Sequence, residues 1–226
     1  MLFRSVREAA LYTIGNQGSA EAVAILKEVA LTHTDAKLRE NASYAIGNAG
    51  QEAGAVVALK EIITKSDDIK TREAALHSLS NLGGKEVEEY LYQTALGDAD
   101  ESIAKTALYA LSNTDAPHRA DMLLDIARHA KSPEVRKQSL YQIGNQNDDA
   151  SVKALAAFAR EATDVELRSA AVNALGNSQS DLAVPVLADI AKNGDSKKLR
   201  TAAVNALGQI GTDAARAALL DILKTK

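Results

Sequence analysis

Asp164 to Asn177 reads D-V-E-L-R-S-A-A-V-N-A-L-G-N, and most of the chain repeats it. The stretch returns as D-A-K-L-R-E-N-A-S-Y-A-I-G-N from Asp35 and as D-I-K-T-R-E-A-A-L-H-S-L-S-N from Asp68. Related copies start at Asp100, Ser132 and Ser196, and a partial one, S-V-R-E-A-A-L-Y-T-I-G-N, starts at Ser5. The arginines Arg7, Arg39, Arg72, Arg136, Arg168 and Arg200, with Ala104 in the remaining place, are spaced by 32 residues, once by 33. Leu26, Leu59, Leu91, Leu123, Leu155, Leu187 and Leu219 keep the same beat between them. A period of this length marks a repeat array, in which each unit buries its apolar face only against its neighbours.

Each repeat holds two helical segments, one running from the Arg motif to Gly-Asn and one like A-V-P-V-L-A-D-I-A at Ala183–Ala191. Asp35, Asp68, Asp100, Ser132, Asp164 and Ser196 are N-cap residue types placed just before the Arg segment. Gly15, Gly47, Gly144, Gly176 and Gly208 are expected to close it, with Ser80 and Ser112 as weaker substitutes. Pro133 suits a first helical position, Pro117 is expected to open a partner helix, and Pro185 falls early in another. Counted from the Arg, positions −1, +3, +4 and +7 are apolar or small, as in Leu167, Ala171, Val172 and Leu175, which makes one stripe on a helix. Neither helix hides its stripe alone, so the expected fold is all-α, an α-solenoid of about seven stacked helix pairs.

The pattern D-x-x-x-R-x-x-A-x-x-A-L-G, followed by an A-V-x-x-L helix, resembles the HEAT repeat, in particular the short form named for phycobilisome lyases. The resemblance covers essentially all 226 residues. It implies a right-handed superhelix with the Arg-bearing helices on the concave side and their partners on the convex side. It also implies Asp–Arg ties between neighbouring repeats, for which Asp35, Asp68, Asp164 and their arginines qualify. Residues 1–226 read as a single repeat domain. The first Arg segment has no partner helix before it and the last partner segment no Arg helix after it, so the chain reads as a fragment of a longer one. The third-to-fourth repeat step, with Ser80 and Ser112 in place of Gly and Ala104 in place of Arg, is expected to be the least regular.

Composition excludes several function classes. Cysteine is absent, so disulfides, thiol catalysis and zinc-thiolate sites are excluded. The net charge of −4 leaves no footprint for nucleic acid, and no partner of that kind is expected. Residues 1–113 carry 11 basic and 16 acidic side chains, residues 114–226 carry 15 and 14. No apolar run approaches the ~18 residues of a membrane span. No phosphate loop, nucleophile elbow or shared His–acid set is present, and the His-Glu pairs of HEAT-type diiron hydroxylases are missing. The reading is therefore not an enzyme, with no metal and no cofactor; the compartment stays open.

Outside the apolar stripe lie two rows of candidate ligand-binding residues. The +5 row is Tyr12, Tyr44, His77, Tyr109, Tyr141, Asn173 and Asn205; the +9 row is Asn16, Asn48, Asn81, Asn113, Asn145, Asn177 and Gln209. Four residues apart, each pair sits one turn apart on the same helix face. Amides bond a peptide backbone in both directions and Tyr supplies flat contact area, so the rows are expected to hold a protein or extended peptide on the concave face. Armadillo repeats are similar in architecture and hold peptides with an Asn ladder. Alternatively the Asn row finishes the helix and bonds the next loop, and the Tyr row lies over a neighbouring repeat. The +1 row runs from Glu8, Glu40 and Glu73 to Lys105 and Lys137, and Glu28, Glu61, Asp125, Asp189 and Asp221 on the partner helices read as solvated. The expected function is a non-catalytic binding scaffold. A bilin lyase or chaperone, or a purely structural repeat segment, remain the alternatives.

Overall fold

The computed structural model describes residues 2–50, 54–116, 118–146 and 148–224, with side chains from residue 5 onward. Pro117 lies outside the described residues. Among those described, the regular structure is fourteen α-helices and one 3-10 turn, Asp181–Ala183. The fold is an all-α solenoid of repeats. The chain divides into two compact units, residues 1–117 and 118–226.

Unit 1 contains α1 (Leu2–Gly15), α2 (Ala20–Thr32), α3 (Ala36–Asn48), α4 (Ala55–Lys65), α5 (Ile69–Leu82), α6 (Lys85–Gly97) and α7 (Glu101–Ser112). Unit 2 contains α8 (Arg119–His129), α9 (Pro133–Gly144), α10 (Asp149–Glu161), α11 (Val165–Asn177), α12 (Val184–Asn193), α13 (Lys197–Ile210) and α14 (Asp213–Lys224). Odd-numbered helices carry the Arg motif, or Ala104 in its place, and even-numbered helices are their partners.

Every expected cap of α3, α5, α7, α9, α11 and α13 is in place. Asp35, Asp100, Ser132 and Asp164 each accept two backbone N–H bonds from the first turn, and Asp68 and Ser196 accept one. Such a cap stabilises its helix by about 1 kcal/mol. Pro133 occupies the first turn of α9, and Pro185 that of α12, directly after the 3-10 turn.

Each even helix packs against the odd helix that follows it: α2–α3, α4–α5 and α6–α7 in unit 1, α8–α9, α10–α11 and α12–α13 in unit 2. Odd helices also stack in series, α1–α3–α5–α7 and α9–α11–α13. The stripe is the reason. Leu167, Ala171, Val172 and Leu175 of α11 are all buried, as are Leu26, Leu59, Leu91, Leu123, Leu155 and Leu187 of the even helices. Burying one such Leu contributes ~1.5–3 kcal/mol. At +3, Ala42, Ala75, Ala107, Ser139, Ala171 and Ala203 are buried or nearly so, and the Ser139 hydroxyl donates to the Leu123 carbonyl.

Gly15 and Gly144 are the last residues of α1 and α9, as expected, but the motif glycines also have a second part. Gly47 and Gly176 lie inside their helices, which run on to Asn48 and Asn177, and Gly208 lies inside α13, which runs on to Ile210. None of these five motif glycines has a positive φ. What Gly15, Gly47, Gly144 and Gly176 provide is room. A methyl at Gly144 would stand 2.6 Å from the Ala174 carbonyl oxygen of α11, and one at Gly176 2.9 Å from the Ala206 Cα of α13. Gly15 abuts the Ala45 carbonyl in the same way. The motif glycine is a contact point between successive odd helices. Ser80 takes that place in α5, its hydroxyl turned back onto the His77 carbonyl, and α5 meets α7 along less of its length than it meets α3.

Candidate functional site

In unit 1 the odd helices α1, α3 and α5 enclose an open concavity of about 370 Å³. Its lining includes Tyr12 and Glu8 from α1, Asn41, Tyr44 and Asn48 from α3, and Ser78 and Asn81 from α5. Gly47 and Ala45 form its floor. The small residues at the contact points let three helices approach closely enough for side chains from all of them to meet. Tyr12 is 61% exposed and Tyr44 44%, which is high for aromatic side chains. The Asn41, Asn48 and Asn81 amides make no hydrogen bond among the described residues.

Of the twelve residues singled out by the repeat, Tyr12, Tyr44, Asn48 and Asn81 therefore converge on one cleft. Asn16, His77, Tyr109 and Asn113 are exposed in unit 1 but lie outside its lining. In unit 2, Tyr141 is half-buried, and Asn145, Asn173 and Asn177 are exposed. There Asn177 Oδ1 accepts from Gln209 Nε2 at 3.0 Å, so one rung of the amide row braces α11 against α13. Asn41 was outside the sequence reading because its +2 row is Ala in four other copies, Thr in one and Gln in one, and shows no amide pattern.

Two acids of the +1 row on α3 and α5, outside the cleft lining, are tied to neighbouring side chains. Glu40 pairs with Lys37 at 2.8 Å. Glu73 accepts from Lys70 Nζ at 2.7 Å and from the Ser102 hydroxyl of α7 at 2.6 Å. Partial burial works against ionisation of Glu73, but the bonds from Lys70 and Ser102 hold its carboxyl below the usual range.

Two sets of charges tie the repeats. Arg39 reaches Asp68 at 3.7 Å, Arg72 reaches Asp98 at 2.8 Å, and Arg168 reaches Asp195. The ties run to the next repeat, as the resemblance implies, but only Asp68 is a motif Asp. Asp164 caps α11 and does not pair with Arg168. The acids of the even helices do more than meet solvent. Glu61 accepts from Lys27 of α2 and from Lys65, both at 2.6 Å, which lowers its pKa from 4.5 to about 2. Asp221 pairs with Lys192 of α12.

The sequence profile described as HEAT repeats matches residues 3–80, 56–143, 120–203 and 152–226. Together these span nearly the whole chain, which belongs to the HEAT repeat family. Among solved structures, the chain is similar to human deoxyhypusine hydroxylase in complex with glycerol, at 20% identity and a TM-score of 0.46, over 91% of this chain and 79% of that one. It is also similar to the complex of CpcE and CpcF of phycocyanin lyase from Nostoc sp. PCC7120, at 22% identity and a TM-score of 0.37, over 97% and 88%. No curated protein sequence matches the chain.

The second of these is a complex of partner proteins, and both carry the names of catalysts. The expectation that this chain is not an enzyme is corrected on that finding. Its basis was the lack of single-loop catalytic motifs, and helices repeated at fixed spacing can carry reactive groups without any such loop. Among the described residues no group of three or more His, Asp and Glu side chains is placed to hold a metal ion, and no helix is long and apolar enough to cross a membrane.

Proposed function

We propose that this HEAT repeat scaffold binds an extended segment of a partner protein across the odd helices of unit 1. The observation that supports this is the convergence of two exposed tyrosines and three amides without internal partners on one cleft spanning α1, α3 and α5. The amides offer both donors and acceptors to a peptide backbone, and the rings offer rigid area with little entropy to lose. Because the cleft is framed by helices, little ordering accompanies binding. The test is capture of partners by the wild-type chain and by a Y12A/Y44A/N48A variant. Capture should fall at least tenfold while the melting temperature moves little, since all three side chains are exposed. Undiminished capture would sink the reading.

A further inference from the structure

Unit 2 holds a second cleft, of about 400 Å³, at the ends of the α8–α9 and α10–α11 hairpins. Arg128, Arg136, Phe158, Glu161, Ala162 and Asp164 are among its lining. It shares no residue with the unit 1 cleft.

Three other motif arginines show what Arg136 lacks, a lack it shares with Arg200, whose Nη1 donates to the Gly194 carbonyl. Arg39, Arg72 and Arg168 each donate to a carbonyl at the end of the preceding even helix, those of His33, Ile63 and Ala159. Each then reaches a carboxylate in the next repeat: Asp68, Asp98 or Asp195. Arg136 makes the first bond, Nε to the Ala130 carbonyl at 2.5 Å. It has no carboxylate within ion-pairing distance among the described residues. Asp98 directly follows α6, whereas the residue directly following α10 is Ala162. Asp164 is occupied at 2.8 and 3.1 Å by the amides of Glu166 and Leu167.

Beside it, the Arg128 guanidinium lies over the Phe158 ring, 5.6 Å from its centroid, also without a carboxylate. Stacking holds a guanidinium in place while leaving its in-plane N–H groups open. The cleft thus presents two guanidinium groups with unfilled donors next to an aromatic face, in a unit with 15 Lys and Arg against 13 Asp and Glu. Of the acids lining it, Glu161 and Asp164 are both exposed.

We infer that this cleft is a carboxylate-binding site, in which an acidic side chain of a partner polypeptide takes the place that Asp98 takes against Arg72. Guanidinium forks favour planar carboxylates through paired N–H bonds. The site is independent of the peptide cleft in unit 1, and loss of either leaves the other intact.

The probe is hexaglutamate added to the full chain, with hexaglutamine as neutral control and inorganic phosphate as a second anion. The readout is the NMR shift of the Arg128 and Arg136 Nε–H signals. Hexaglutamate should move both and hexaglutamine neither. Arg128→Gln, at an exposed position, should weaken binding at least tenfold. Ala162→Asp should abolish it by supplying the carboxylate internally, and should move the Arg136 signal without any ligand. No shift with hexaglutamate, binding unchanged in A162D, or a response to phosphate but not to hexaglutamate would each overturn the assignment.

Discussion

The two units are built from one repeat and dispose of some of its polar groups differently. In unit 1 the motif arginines Arg39 and Arg72 are paired with carboxylates, and the Asn48 and Asn81 amides are left open around a cleft. In unit 2 the amide of Asn177 is taken up by Gln209 and Arg168 is paired with Asp195, but Arg136 and Arg200 have no charged partner among the described residues. The helices, caps and apolar stripe are shared. What differs is which side chain finds a neighbour within its own chain, and that selects which part of the surface remains available to another molecule.

If the helical frame is common to both units, the same insult should cost the same in each. Gly15→Ala in unit 1 and Gly144→Ala in unit 2 both drive a methyl into the carbonyl of the next odd helix, and each should destabilise by ~1–3 kcal/mol in urea unfolding. Gly208 meets nothing within 4 Å, so Gly208→Ala should instead gain up to ~1 kcal/mol from helix propensity. A matching loss at Gly208 would show that the glycine serves the helix end after all.

The charged ties give the next largest contrast. Asp98→Ala removes the Arg72 pair, in which both side chains are 18% exposed, and also the acceptor of the Asp100 N–H at 2.8 Å. The expected loss is about 1–2 kcal/mol. Ala162→Asp should work in the other direction by ~0.5–1 kcal/mol, bringing unit 2 closer to unit 1. A neutral outcome for both would mean that the two units differ in appearance only.

Acid should narrow the contrast in small steps. The bonds from Lys27 and Lys65 lower Glu61, the Thr71 hydroxyl lowers Asp68, the Ser151 amide lowers Asp148, and Lys192 lowers Asp221. These folded pKa values lie below the unfolded ones, so the stability they contribute is complete above the ordinary carboxylate range. It is lost as pH falls through the folded values, for Glu61 from 4.5 towards about 2. Melting temperature measured from pH 6 to pH 2 should decline in that window, and less steeply in Glu61→Gln. A flat profile would count against these bonds.

Much of the frame was legible because its signals are local. A cap such as Asp35 acts on amides two and three residues away, and the stripe of Leu167, Ala171, Val172 and Leu175 follows from helical geometry alone. The Gly-Asn ending was read as a helix end, and it does lie within two residues of one, but its further constraint, a chain segment about 30 residues further along, was not legible. The pairing of Arg72 with Asp98, or of Lys27 with Glu61, was illegible for the same reason: it depends on where two loops or two helices come to lie. The outward placement of Tyr12 and Tyr44 could be read from phase. That Asn41 joins them could not, since one amide in a row of unlike residues carries no periodic signal.

The in-helix glycines also bear on the order of assembly. Each weakens its own helix by about 1 kcal/mol relative to Ala, so an odd helix with Gly near its end is a poor nucleus by itself. The same residue gives the neighbouring helix its seat. An odd helix is therefore favoured chiefly once the next one is present, and folding, wherever it nucleates, should spread from helix to helix within a unit.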